Sequence, residues 1–125
     1  MPSTTEPKNL GDLLKYEAPN LYSRDRVTIA SGQTLALGTV VGVVTATSKF
    51  KALDPAATDG TEIARGVIAN DVDAALADRD DGLLIARHAL VARNALVWPS
   101  GISAELKAAA EAQLKAIGIL VRDAA

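Results

Sequence analysis

One stretch constrains the fold more than any other: Gly38 to Val72, GTVVGVVTATSKFKALDPAATDGTEIARGVIANDV. Val40, Val41, Val43 and Val44 bracket Gly42, and Thr45 and Thr47 continue outward. β-Branched side chains fit a pleated surface better than a helix, so this run predicts a strand. A second apolar run, Ile63 to Ile68, centres on Ala64, Val67 and Ile68, with Gly66 interrupting it. Between the two runs, Ala52 to Gly60 carries turn chemistry. Pro55 fixes its own φ and keeps Asp54 out of the helical region, while Asp59-Gly60 offers the positive φ of a tight reversal. The expectation is two short strands clasping a polar turn. No nucleophile, metal cage or phosphate cradle is legible in it. It reads as scaffold.

A chain of 125 residues is one domain's worth, and a core of modest size. Aromatics are only 3% of it, so the core must be aliphatic, with Trp98, Phe50, Tyr16 and Tyr22 as the large rings. Such a core buries limited area per residue, and oligomerisation would supplement it. A net charge of -2 points away from nucleic acid and acidic membranes. The absence of cysteine excludes disulfides and thiolate chemistry. The N-terminus lacks the apolar region of a secretory signal, and no run approaches the roughly 20 apolar residues of a membrane span. A soluble protein made inside the cell is expected.

Met1 to Asn20 reads as a flexible arm, polar at first and rich in Pro, Ser and Thr near its start. Within it, Leu10, Leu13, Leu14 and Tyr16 lack an evident partner in the chain. Two readings stand side by side: a segment that orders on a partner, or a short strap on its own domain. The domain proper, residues 21–125, opens with a strand over 21–29, where Arg24, Arg26 and Thr28 alternate with Val27 and Ile29. Glycines at short intervals predict a curved, mostly antiparallel β structure. Residues 69–82 read as a crossing loop, 83–86 as an apolar strand, 88–93 as its continuation, and Pro99-Ser100-Gly101 as a corner. One helix follows. Ser103 is its N-cap, Glu105 suits its first turn, and alanines at 108, 109, 110 and 112 favour it. Leu106, Ala110, Leu114 and Ile117 form the inward stripe, and Gly118 is placed as an αL cap. Ile119 to Val121 is a last strand.

Taken in order, the block Gly38 to Ala74, the segment Arg87 to Trp98, the Leu96-Val97-Trp98-Pro99 junction, the Ala-rich helix and Ile117-Gly118-Ile119 resemble the phage head decoration proteins. The resemblance covers about two-thirds of the chain, from Gly38 to Val121. It implies a β-clip-like, mainly β (α+β) domain with one helix towards the C-terminus. It also implies homotrimers at three-fold positions on the outside of an expanded phage head, bound to the major capsid protein and resisting the pressure of packaged DNA. The protein is then a virion component with no cofactor. In such proteins the N-terminal arm orders against the capsid. That makes Leu10, Leu13, Leu14 and Tyr16 the expected capsid contacts, by character and not by motif.

Several residues invite sharper chemistry. Asp71, Asp73, Asp78, Asp80 and Asp81 invite a calcium site, but their spacing is not that of an EF-hand and Arg79 stands among them. A solvated loop is the better reading. His88, the single histidine, has no triad or metal partner in the pattern and reads as a surface or interface residue. Trp98, before the corner, reads as core packing between helix and sheet, together with Leu106, Leu114 and Ile117. Lys49, Lys51, Arg65, Arg87 and Arg93 are scattered, not striped, and argue against nucleic acid. No catalytic or metal-ligating residue is assigned. Two alternatives remain: a trimeric β-clip enzyme of the dUTPase type, whose nucleotide motifs are missing here, or another virion-associated binding module.

Overall fold

The computed structural model describes residues 10–17 and 23–123. In chain order these form the helical turn α1 (Leu10–Leu13) and strands β1 (Leu14–Glu17), β2 (Arg24–Ile29), β3 (Gln33–Leu35), β4 (Val40–Val43) and β5 (Phe50–Ala52). Then come β6 (Gly66–Ile68), β7 (Val72–Ala74), β8 (Arg79–Ile85), β9 (Ala89–Ala92), a 3-10 turn (Arg93–Ala95), helix α2 (Ala104–Ala116) and β10 (Ile119–Arg122). The domain is mostly β, with its one long helix near the C-terminus.

Five strands close into a barrel in the order β2-β5-β4-β6-β8. The two apolar runs do pair, antiparallel, with Val40 opposite Val67 and Val41 opposite Gly66. They are not joined by a simple turn, because β5 lies between them in the chain and pairs with the other side of β4. Thr45 and Thr47 do not extend the strand. The Val44 carbonyl accepts from the N–H groups of Thr47 (3.2 Å) and Ser48 (2.8 Å), Ser48 takes φ 60°, and the chain reverses at once. The positive φ expected at Gly60 is present, at 111°.

Period two explains why these strands are apolar at consecutive positions. Val41, Ile68, Leu84, Ile29 and Phe50 belong to one buried cluster, to which all five barrel strands contribute. It fills the barrel, since Arg26 and Lys51 point the other way. Val40, Val67, Leu83 and Ile85 face outward into a second, larger core, where they meet the helix and the remaining sheet. The barrel wall is therefore buried on both faces along β4, β6 and the last residues of β8, whose first three residues are exposed. Close backbone passages need glycine there. A Cβ at Gly42 would stand 2.7 Å from Thr61 Cα, and one at Gly66 2.6 Å from the Ile85 carbonyl oxygen.

Residues 69–82 are not simply a loop. Val72 and Ala74 alternate with Asp71 and Asp73 and form β7, which pairs with β3. This ribbon adds Leu35, Val72 and Ala74 to the inner core.

The third sheet has the order β1-β9-β10. Strands β9 and β10 are parallel, with α2 as the crossover between them, and β2 meets β5 in parallel as well. The other strand pairs are antiparallel, so the sheet is mostly antiparallel as expected, with these two seams as the exceptions. Helix α2 starts and stops as its sequence dictates. Ser103 accepts from the Leu106 N–H (3.2 Å), and Gly118, at φ 88°, donates to the Lys115 carbonyl (3.0 Å). Ala110 and Leu114 are buried and Ile117 is half-buried. Leu106, expected on the same inward stripe, is instead 44% exposed. The first turn of the helix overhangs the 53–63 segment and leaves Leu106 on the rim of a groove.

Candidate functional site

The N-terminal segment is where sequence and structure differ most. Helical turn α1 packs on β9 and the 3-10 turn. Leu13 is fully buried in the outer core, with Leu10 and Leu14 packed against it. Strand β1 then pairs antiparallel with β9, Tyr16 opposite Leu90 and Glu17 opposite Ala89, with a bulge between Leu14 and Tyr16. Glu17 receives both Arg24 Nη2 (2.6 Å) and Arg24 Nε (2.7 Å), a charge-assisted fork. That fork raises the pKa of Arg24 against the opposing effect of its partial burial. Residues 10–17 are thus a strap on their own domain, one of the two arrangements expected. The rest of the expected arm, residues 1–9 and 18–20, lies outside the described residues.

This strap builds a surface. In the three-stranded sheet Ala89, Val91 and Ile119 point into the core. Their neighbours Leu90 and Leu120, and Tyr16 paired with Leu90, must then share the opposite face. Tyr16, Leu90 and Leu120 stand in a row across three strands, with Tyr16 59% and Leu120 39% exposed. His88 and Arg122 flank them around a shallow groove of about 420 Å³. An apolar row with a polar rim has the anatomy of a protein-binding patch. Of the four arm residues, Tyr16 alone has its side chain largely on this outer surface.

His88 sits at the corner between β8 and β9 in a left-handed conformation, φ 47°. Its carbonyl accepts from the hydroxyl of buried Ser23 (2.8 Å). The adjacent Ala89 N–H donates to the Gly118 carbonyl (3.1 Å), so both sheet and helix cap hold this corner. Nothing in the sequence signals a positive φ at a histidine. Trp98 is half-buried and packs against the outer core.

The acidic loop is structural. Asp71 accepts the Leu37 N–H (2.8 Å), Asp73 that of Ala75 (3.1 Å) and Asp78 that of Ser31 (2.7 Å). Asp78 also binds Lys49, and Asp81 binds Arg79 (2.8 Å). The bond to Lys49, reinforced by the Ser31 N–H, holds the Asp78 carboxyl below the usual range. Among the described residues no three His, Cys, Asp or Glu side chains converge on a metal-sized site, and no helix is long and apolar enough to cross a membrane. Arg93 joins the 3-10 turn to helix α2 and to the residue that follows β10. It holds Glu111 of α2 through Nε (3.0 Å) and Nη2 (3.1 Å), and Asp123 through Nη1 (2.7 Å).

No curated protein matches the chain. A family model, bacteriophage lambda head decoration protein D, matches residues 3–119. The match spans nearly the whole length, including both barrel runs, the β9 segment and the helix. The chain therefore belongs to the family of the bacteriophage lambda head decoration protein D, structural proteins of the virion that decorate the phage capsid.

Proposed function

We propose that the protein binds the outer surface of the expanded capsid as homotrimers at three-fold positions, contacts the major capsid protein, and stabilises the head against packaged DNA. The observation that carries the contact is the outward row Tyr16–Leu90–Leu120. A ligand that prefers the expanded shell adds its binding free energy to that state and shifts the equilibrium towards it. Three copies of a modest contact raise occupancy without any single strong site. Chemistry on a substrate has no part in this. Leu13 supports the contact from behind by anchoring the strap that carries Tyr16.

The test is binding of the purified protein to expanded and unexpanded shells, with Tyr16→Ser and Leu120→Ser alongside. Saturable binding to expanded shells alone, weakened about tenfold or more in each variant, is the expected result. Binding to neither shell, or equal binding to both, would sink the reading. Binding that both substitutions leave untouched would move the contact to another face.

A further inference from the structure

Three surface grooves among the described residues are each lined by a glutamate. In two of them the chain supplies the cation itself. Arg24 lines the groove beside Leu10 and Leu14 and forks onto Glu17 (2.6 and 2.7 Å). Arg93 lines the groove between α2 and β10 and forks onto Glu111 (3.0 and 3.1 Å). The third groove, of about 160 Å³, lies between the 53–63 segment and the first turns of α2. It is lined by Glu62 and by no cation. Glu62 makes no ion pair with any described residue.

The rest of this groove is largely aliphatic, with Leu53, Pro55, Ile63, Leu106 and Ala109 along it. Ile63 and Leu106 are more than a third exposed there. Both walls are fixed. Gln113 of α2 accepts the Ala64 N–H (2.7 Å) and ties the helix to the segment. The Asp54 N–H donates to the Thr61 carbonyl (2.9 Å) across the segment itself. The Glu62 carboxylate is held as well, since its Oε1 accepts the Gly60 N–H (2.8 Å). A site set before binding loses little ordering entropy when it is filled. A cavity of about 150 Å³ accepts a benzene-sized group, so this one holds a single side chain. Aliphatic walls beside a carboxylate suit an aliphatic stem with a cationic head, which buries its methylenes and keeps its charge paired. A purely apolar occupant would strip water from Glu62 and return nothing for it.

We propose that this groove takes the side chain of a lysine or arginine from a partner protein, which under the reading above is the capsid surface. Only the identity of the partner rests on that reading; the chemistry of the groove does not.

The test without shells is a ¹H–¹⁵N NMR titration of the full chain with n-butylammonium, n-butylguanidinium, n-butanol and butyrate, on the wild type and Glu62→Gln. The glutamine keeps an acceptor for the Gly60 N–H, and the spectrum itself shows that the variant is folded. Both cations should shift Ile63, Leu106 and Ala109 and bind about threefold or more tighter than butanol, with the preference lost in Glu62→Gln. Cations that bind no tighter than butanol, or a preference that survives Glu62→Gln, overturn the proposal. On expanded shells Glu62→Gln should bind about tenfold or more weakly than the wild type, because the loss repeats in each copy. Shell binding that Glu62→Gln leaves unchanged overturns the capsid as the source of the side chain. A groove that prefers cations, in a protein that binds neither shell, would keep the ligand chemistry and remove the capsid reading.

Discussion

Asp59 accepts hydrogen bonds from the hydroxyl (2.6 Å) and the N–H (3.1 Å) of Thr61, at the reversal that returns the chain towards β6. Thr61 is itself buried. The Thr61 hydroxyl bond, then the Thr61 N–H bond, pull the Asp59 carboxyl below its ordinary pKa, with a smaller push from Lys51. A carboxyl lowered in the folded state stabilises that state above its unfolded pKa, about 3.9. The contribution disappears as pH falls through the lowered folded value. Urea unfolding of the wild type and Asp59→Asn should differ at pH 7, and the gap should close below about pH 4. A gap that widened on acidification would assign the wrong sign to this group.

At the scale of elements, the strap of residues 10–17 makes the sharpest prediction. Leu13→Ala opens a hole in the outer core and should cost about 2–5 kcal/mol, whereas Tyr16→Ala, three residues on and facing outward, should cost about 0.5 kcal/mol or less. Comparable small effects in denaturant melts would mean that the strap does not dock. This element was half legible. The apolar residues showed, but their partners on β9 and the 3-10 turn are more than seventy residues away, beyond any local pattern. Helix α2 was legible almost to the residue, because capping is written locally by Ser103 and Gly118. Strands β5 and β7 were hidden for the opposite reason. Three residues hold barely one alternation, and the charges around Phe50 and Val72 gave each the look of a loop. The row Tyr16–Leu90–Leu120 could not be read either, because it exists only once the register of three strands is known.

For the whole molecule, strands β4, β6 and β8 belong to both cores, so the barrel interior and the helix side should unfold together. Trp98 reports on the outer core and far-UV circular dichroism on the strands. The two transitions should coincide in the wild type, in Val41→Ala (inner core) and in Leu114→Ala (outer core) alike. Separated midpoints would show two cooperative units. The doubly buried wall also removes a safeguard that ordinary sheets possess. Where one face is wet, sliding a strand by one residue buries polar groups and exposes apolar ones, so misalignment is penalised by solvent. In β4 and β6 both faces are apolar, and water cannot tell the right alignment from its neighbour. Steric exclusion does so instead. Gly42 fits beneath Thr61 and Gly66 against the Ile85 carbonyl, at separations that admit no Cβ. A slip of one position drives Val41 or Val43, or else Arg65 or Val67, into one of those gaps. The glycines act as notches that proofread alignment, and the wall can be apolar throughout because they are there.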